Sequence, residues 1–348
     1  MNKVSAKTFK GVDLFKAIAA ILIVSLHIGN VDDLIPLKSI TILGHIGVPF
    51  FAIVASFLFF KKFNNINDKN ERIYKLWQYM KRILFLFLVW QIFYIPLALR
   101  SLFQYIHVYG NNFECYVRYI YHFFLSPATG YKYANGWAPS WYLIATIIGL
   151  PIFIFMCKLL KSNIFILGIV AACLELMMIM STSYGLISHV PMIGYYSFPR
   201  LIPYFFIGWV MAIYNKKIYM MNLKKVVFFT LVCLIIFYLE TFLIYKFKFG
   251  TFAEETFFTA PTSIAVTCLA FKINPSFSLS MSKSLRNFST FLYCSQEISI
   301  AIVTQLIPFH DYWKIVFYIL SIMLSYVAFK LFIQIKKKLN WSIWNYMI

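Results

Sequence analysis

Long apolar windows dominate the sequence and recur at short intervals from residue 11 to residue 335. Each has about the length that a helix rising about 1.5 Å per residue needs to cross a hydrocarbon core of roughly 30 Å. The windows lie near residues 11–30, 38–60, 80–100, 139–160, 163–181, 199–214, 224–245, 257–272, 288–308 and 312–335. No polar block between them is long enough to fold separately. The pattern therefore predicts a single domain over residues 1–348, an all-α polytopic transmembrane bundle of about ten spans.

The segments between the windows differ sharply in their content of basic residues. With the N-terminus in the cytoplasm, the inner segments hold 22 of the 32 lysines and arginines of the chain. The outer segments hold five, namely Arg100, Arg118, Lys132, Lys246 and Lys248. Basic residues accumulate in the cytoplasmic loops of membrane proteins. We therefore predict cytoplasmic N and C termini and a multi-pass protein of the cell membrane.

Composition supports this class and narrows the expected partners. Charged residues make up 13% of the chain, whereas soluble domains carry about 25%. A net charge of +20 would suggest nucleic acid for a soluble protein, but here the charge follows the loops. We expect the lipid bilayer and not nucleic acid as partner. The six cysteines show no metal-type spacing, and no metal is predicted.

The first window carries three ionisable residues, which are costly inside a bilayer and are therefore functional candidates. Asp13 and Lys16 are three residues apart, and Lys16 and His27 are eleven apart, about three helical turns, so all three share one face. Lys16 would lie towards the inner surface and His27 towards the outer one. Two interpretations stay open: a functional stripe of charge, or a snorkelling Lys16 with a His27 that packs against another helix.

The run KGVDLFKAIAAILIVSLHI, from Lys10 to Ile28, resembles the first helix of the acyltransferase 3 family of membrane acyltransferases. That helix carries an arginine, ten further residues and then a histidine, with an aspartate three residues before the arginine. Asp13, Lys16 and His27 occupy these positions here, with lysine in place of arginine. Lysine keeps the positive charge but not the planar fork of donors.

Further stretches resemble the same family, in the same order along the chain. They are GHIGVPFFAIVASFLF (Gly44 to Phe59), Lys81-Arg82, SWYLIATI (Ser140 to Ile147), FPRLIPYFFIGW (Phe198 to Trp209) and STFLYCSQE (Ser289 to Glu297). Two of them differ from the family pattern. Ala55-Ser56 replaces the usual Ser-Gly pair, and Gln296 stands where many members have histidine, so that the neighbouring Glu297 is a candidate for the missing polar function.

The resemblance implies transfer of an acyl group, commonly acetyl, from cytoplasmic acyl-CoA such as acetyl-CoA to a hydroxyl of an extracytoplasmic or lipid-linked glycan. Such O-acetylation would modify a cell-surface polysaccharide of the cell envelope. The charge stripe suits this task, since inner cations can receive the donor phosphates and an outer histidine can accept a proton. The expected catalytic residues are His27, Lys16 and Asp13, and the expected substrate-binding residues are His45, Arg82, Trp141, Arg200 and Gln296.

Several alternatives stay open at this stage. The same bundle would suit a transporter or exporter of a polysaccharide or small molecule, or a scaffold without activity. His45 would face His27 or lie at the membrane interface, and Arg200 would contact substrate or snorkel to the outer surface. Glu175 and Glu240 would be protonated packing residues or partners of a buried cation. Trp141 would be a belt or core residue if it does not contact substrate.

The outer segment 101–138 is the longest of the segments between windows. It contains many aromatic residues together with His107 and His122, but little charge. We expect it to lie along the membrane interface or to dip inward.

Overall fold

The computed structural model describes residues 9–28, 35–125, 134–187, 196–247, 249, 255–307, 313–339 and 347–348. Within these ranges the chain forms α-helices, one short π-helix and no β-strand. The helices are α1 Lys10–Leu26, α2 Ile35–Gly44, α3 Gly47–Phe63, α4 Lys69–Phe93, α5 Ile95–Tyr109, α6 Phe113–Phe124, α7 Ser140–Leu159, α8 Ile164–Met178, α9 Leu201–Ile213, α10 Asn215–Met220, α11 Leu223–Phe247, α12 Thr259–Lys272, α13 Leu279–Leu306 and α14 Lys314–Leu339. The predicted all-α fold class is confirmed.

The ten apolar windows each coincide with one helix or with two consecutive helices. Among the described residues, five helices are long and apolar enough to cross a membrane by themselves. They are Pro36–Phe63, which combines α2 and α3, Ile164–Ser183, which combines α8 with the π-helix Ile179–Ser183, and the single helices α7, α11 and α14. The protein is therefore a multi-pass membrane protein. The number of ten spans and the cytoplasmic location of both termini stay predictions.

The third window contains a sharp bend. Helices α4 and α5 are together long and apolar enough to cross a membrane, but their axes differ by 75° at the break between them. Tyr94 lies at this break, and Pro96 occupies the first turn of α5, where its missing N–H is tolerated. Helix α5 packs against α6. These two short helices form most of the outer segment that was predicted to follow the interface; residues 126–133 lie outside the described ranges.

Aromatic stacking fixes the chain between α6 and α7. Trp137 is fully buried and lies between Phe87 and Tyr94, with ring centroids 5.9 Å and 4.9 Å away and nearly parallel planes. The Gln91 side chain donates a hydrogen bond of 2.8 Å to the carbonyl oxygen of Asn135. The bend of α4 into α5 is thus tied to residues 134–139, which reach the cavity described below.

Helix α1 packs against α2, α3, α12, α13 and α14. A Cβ atom on Gly11 would lie 2.3 Å from the carbonyl oxygens of Ala270 and Ile273, so α1 and the end of α12 are in backbone contact. Helices α3 and α9 also approach closely, because Ser56 donates a hydrogen bond of 2.8 Å to the carbonyl oxygen of Phe205. Ala55-Ser56 differs from the family pattern, but Ser56 provides a hydrogen bond between α3 and α9.

Candidate active site

His27 lies at the C-terminal end of α1 and contacts a carboxylate of α13. Its Nδ1 atom lies 3.0 Å from Oε1 of Glu297, and the side chains are 19% and 25% exposed. A carboxylate at Nδ1 favours the imidazole tautomer that is protonated there, which leaves Nε2 as an acceptor. In this arrangement His27 can act as a general base, and the Glu297 carboxylate holds its imidazole in position.

The N-terminal end of the α1 stripe also contacts α13. Asp13 is buried, and its Oδ2 atom accepts a hydrogen bond of 2.5 Å from Ser282 and lies 3.8 Å from Nη1 of Arg286. Lys16 is partly buried and interacts electrostatically with Asp13, Arg286 and Arg82. Lys16 and Arg286 therefore lie beside the Asp13 carboxylate, and Arg82 lies within electrostatic range of Lys16. We call these three residues the cation group.

The contacts at the two ends of α1 show that α1 and α13 run parallel. Asp13 meets Ser282 and Arg286 at one end, and His27 meets Glu297 at the other. The spacing from Arg286 to Glu297 is eleven residues, the same as from Lys16 to His27. Both separations correspond to about 16 Å along a helix. The predicted stripe on α1 is therefore matched by a second stripe on α13, which connects the same two ends.

A small cavity of about 60 Å³ lies beside His27. Its walls combine aliphatic and aromatic side chains with one guanidinium group. They are formed by Ile23, Leu26, His27, Val48, Pro139, Trp141, Tyr196, Arg200 and Tyr293. The structure thus brings together three of the residues predicted for the site, His27, Trp141 and Arg200.

Arg200 precedes α9 and is held by a buried polar network. Its Nε donates to Oε1 of Glu255 at 2.5 Å, and its guanidinium lies 5.3 Å from the ring centroid of Trp141. Oε2 of Glu255 accepts a hydrogen bond from Tyr204, whose hydroxyl is also 3.0 Å from Glu175. The Arg200 side chain is only 2% exposed. The snorkelling interpretation of Arg200 is therefore wrong, because this side chain points into the bundle.

A second cavity of about 130 Å³ lies next to the first and is mostly apolar. Its walls are formed by Val48, Phe51, Leu86, Tyr142, Leu143, Ser289, Thr290 and Tyr293. Ser289 and Thr290 lie one helical turn beyond Arg286, and both hydroxyls donate to the Arg286 carbonyl oxygen. Hence the cation group, the second cavity and the His27 cavity follow one another along one face of α13.

Three predicted substrate-binding residues do not line either cavity. His45 is buried, and its Nε2 lies 2.7 Å from the hydroxyl of Tyr245 on α11. Gln296 is 1% exposed, and its amide atoms have no hydrogen-bond partner among the described residues. Arg82 is exposed and reaches the site only through its charge, near Lys16. Their role in substrate binding stays a prediction.

The two deep glutamates have different environments. Glu240 accepts hydrogen bonds of 2.9 Å from the backbone N–H groups of Phe257 and Phe258, and one of 2.8 Å from the Tyr184 hydroxyl. It satisfies donors at the start of α12, so neither predicted role describes it. Glu175 instead belongs to the network that ends at Arg200. In the described part of the chain, no group of three or more His, Cys, Asp or Glu side chains could hold a metal ion.

Sequence reasoning missed two important site residues and only partly identified a third. Arg286 was counted only among the 22 basic residues of the inner segments, and Glu255 was not singled out. Glu297 was noted as a polar neighbour of Gln296 and not as the partner of His27. The signal for Arg286 and Glu297 was present in their spacing of eleven residues, which equals that of Lys16 and His27.

The helices α1 and α13 thus carry a base-carboxylate pair beside a cavity and a group of cations at the other end. A family model described as an acyltransferase domain, Acyl_transf_3, matches residues 9–333. The chain belongs to the acyltransferase 3 family, and the protein is an acyltransferase. No curated protein and no solved structure matches it significantly.

Proposed function

We propose that the protein transfers an acetyl group from cytoplasmic acetyl-CoA to a hydroxyl of an extracytoplasmic or lipid-linked glycan. The observation that carries this proposal is the line of features along α1 and α13. Cations lie at one end, the His27–Glu297 pair lies at the other, and two adjoining cavities lie between them. A donor such as acetyl-CoA, with charged phosphates at one end and a long, narrow chain, fits this arrangement.

The inner end suits the charged part of the donor. Lys16 lies within electrostatic range of Arg82 and Arg286, and Arg286 is close to Asp13. Phosphate groups bind such clusters through charge-assisted hydrogen bonds. The mostly apolar second cavity, with the Ser289 and Thr290 hydroxyls on its wall, suits an arm that carries amide groups between apolar segments.

The outer end suits the chemistry. His27 Nε2 would accept the proton of the acceptor hydroxyl while its oxygen attacks the thioester carbonyl carbon. The new C–O bond forms, the C–S bond breaks, and the proton passes from His27 to the departing thiolate to give free CoA. Glu297 would hold the imidazole in position and stabilise its protonated form.

Arg200 is suited to the negative charge that develops on the carbonyl oxygen. Its guanidinium lines the His27 cavity and is held by Glu255, so it need not reorganise during the reaction. The matching family favours this chemistry over the transport alternative, because the resemblance covers residues 9–333.

The test is acyl transfer by purified protein. The protein would be given acetyl-CoA labelled in the acetyl group, together with a total glycan fraction from the cell envelope. His27→Ala should lower label incorporation by about 10²–10⁴-fold, because removal of a general base has this cost. His107→Ala is the matched control, since His107 is an exposed histidine of α5 that lines neither of these cavities.

Incorporation by His27→Ala at the wild-type rate would contradict the mechanism. Glu297→Gln should give a smaller loss than His27→Ala, because the imidazole stays present and loses only its carboxylate partner.

A further inference from the structure

The two cavities meet at a pair of side chains. Val48 and Tyr293 are the residues common to the walls of both cavities in the described part of the chain. Val48 comes from the first turn of α3 and Tyr293 from the middle of α13. The two cavities therefore adjoin each other at these two side chains, and we refer to this place as the constriction.

The α3 side of this constriction is held against α1. A Cβ atom on Gly47 would lie 2.5 Å from Cγ1 of Ile23, so the backbone beside Val48 is pressed onto that helix. Val48 is β-branched, and such side chains have restricted χ1 rotamers. Neither the backbone nor the side chain can retreat easily at this point.

The α13 side is held at both edges of the ring. The Tyr293 hydroxyl donates a hydrogen bond to the carbonyl oxygen of Pro139, which itself lines the His27 cavity. The ring packs edge-on against Tyr142, with centroids 6.1 Å apart. Tyr293 is 9% exposed. The ring is thus fixed across the path and does not swing freely.

The space beyond the constriction is small. About 10–15 Å³ of cavity volume is enough for one water molecule. The cavity of about 60 Å³ beside His27 therefore has room for only a few heavy atoms. This space has to hold both the acyl group and the attacking hydroxyl. Leu26 and Trp141 are among the side chains that close it.

We propose that Val48 and Tyr293 determine which acyl chains the enzyme accepts, and that they restrict it to short ones. This inference rests on the proposed function. The acyl carbonyl would lie on the His27 side of the constriction and the remainder of the donor on the inner side. Each further methylene of the acyl chain would then have to fit in a space that the acceptor hydroxyl also needs.

The test compares acetyl-CoA, propionyl-CoA and butyryl-CoA as donors for the purified protein, with release of free CoA measured by chromatography in the presence of the envelope glycan fraction. One methylene in an apolar pocket changes kcat/KM by about 10–200-fold. The wild type should therefore use butyryl-CoA at least about tenfold less efficiently than acetyl-CoA. Val48→Ala should raise the butyryl-to-acetyl ratio about tenfold, because it removes two methyl groups from the constriction.

Val54→Ala is the matched control. Val54 is a fully buried valine of the same helix that lines neither cavity, so this change should leave the ratio of donors unaltered. Val48→Ile is the second variant. It should lower the butyryl-to-acetyl ratio further, and it serves if Val48→Ala does not fold.

Two results would overturn the inference: equal use of acetyl-CoA and butyryl-CoA by the wild type, or an unchanged ratio in both Val48 variants. A wild-type protein that transfers none of the three acyl groups would instead overturn the proposed function itself. The two failures are thus distinguishable in one experiment.

Discussion

Two ion pairs of this protein have nearly the same length but very different surroundings. The Arg200–Glu255 distance is 2.5 Å with both side chains buried, at 2% and 1% exposure. The Arg118–Glu114 distance is 2.6 Å with both exposed, at 52% and 71%. We therefore expect Glu255→Gln and Glu114→Gln to differ strongly, although each removes one carboxylate charge from an arginine.

The magnitude follows from burial. Removal of one partner from a buried pair leaves a charge in a poorly solvated site and costs about 3–5 kcal/mol. Glu255→Gln should lower the free energy of unfolding by about this amount, whereas exposed pairs contribute little, so Glu114→Gln should give no measurable change. SDS titration of the purified protein in mixed micelles, followed by tryptophan fluorescence, measures this difference.

The same variant has a consequence for activity. Glu255 holds the guanidinium that lines the His27 cavity, so Glu255→Gln should also reduce acyl transfer at temperatures where the protein stays folded. Similar unfolding free energies for the two glutamine variants would refute the reasoning, because the buried pair would then contribute no more than the exposed one.

Two further predictions concern positions where this chain differs from its family. Lys16→Gln should weaken binding of acetyl-CoA, and the loss of affinity should be larger at low than at high ionic strength. Lys16→Arg should retain the affinity because the charge is kept. Equal affinity of wild type and Lys16→Gln at low salt would show that the donor binds elsewhere. Gln296→Leu should leave the melting temperature equal or higher, since the amide has no partner among the described residues, and its effect on transfer tests the predicted contact with substrate. Gln91→Leu is the contrasting control and should lower the melting temperature, because that amide donates to Asn135. Loss of transfer in Gln296→Leu would instead support its predicted contact with substrate.

The helical fold followed from the sequence because apolar windows of membrane length carry a strong local signal. The stripe of Asp13, Lys16 and His27 was predictable for the same reason, since its residues lie within one helix. Other features depend on distant contacts. Asp13 and Ser282, for example, are 269 residues apart, and nothing in the periodicity of α1 indicates which helix lies beside it.

Two local features also escaped prediction. The break between α2 and α3 lies within a window that reads as one continuous apolar run. Gly44 and Gly47, which flank this break, are both in close contact with α1. The role of Glu240 was missed because two of its three partners are backbone N–H groups, which leave no trace in the composition of the sequence.

The parallel arrangement of α1 and α13 has a mechanical consequence. The two helices are connected near both ends of α1, by Asp13 with Ser282 and by His27 with Glu297. Neither helix can slide or tilt along the other without breaking one of these links. The distance between the Asp13 end and the His27 end is therefore fixed. A carrier that works by rocking needs the opposite property. We therefore expect a covalent cross-link between α1 and α13 to be tolerated, because in the proposed mechanism the acyl chain moves between the two ends and the helices do not.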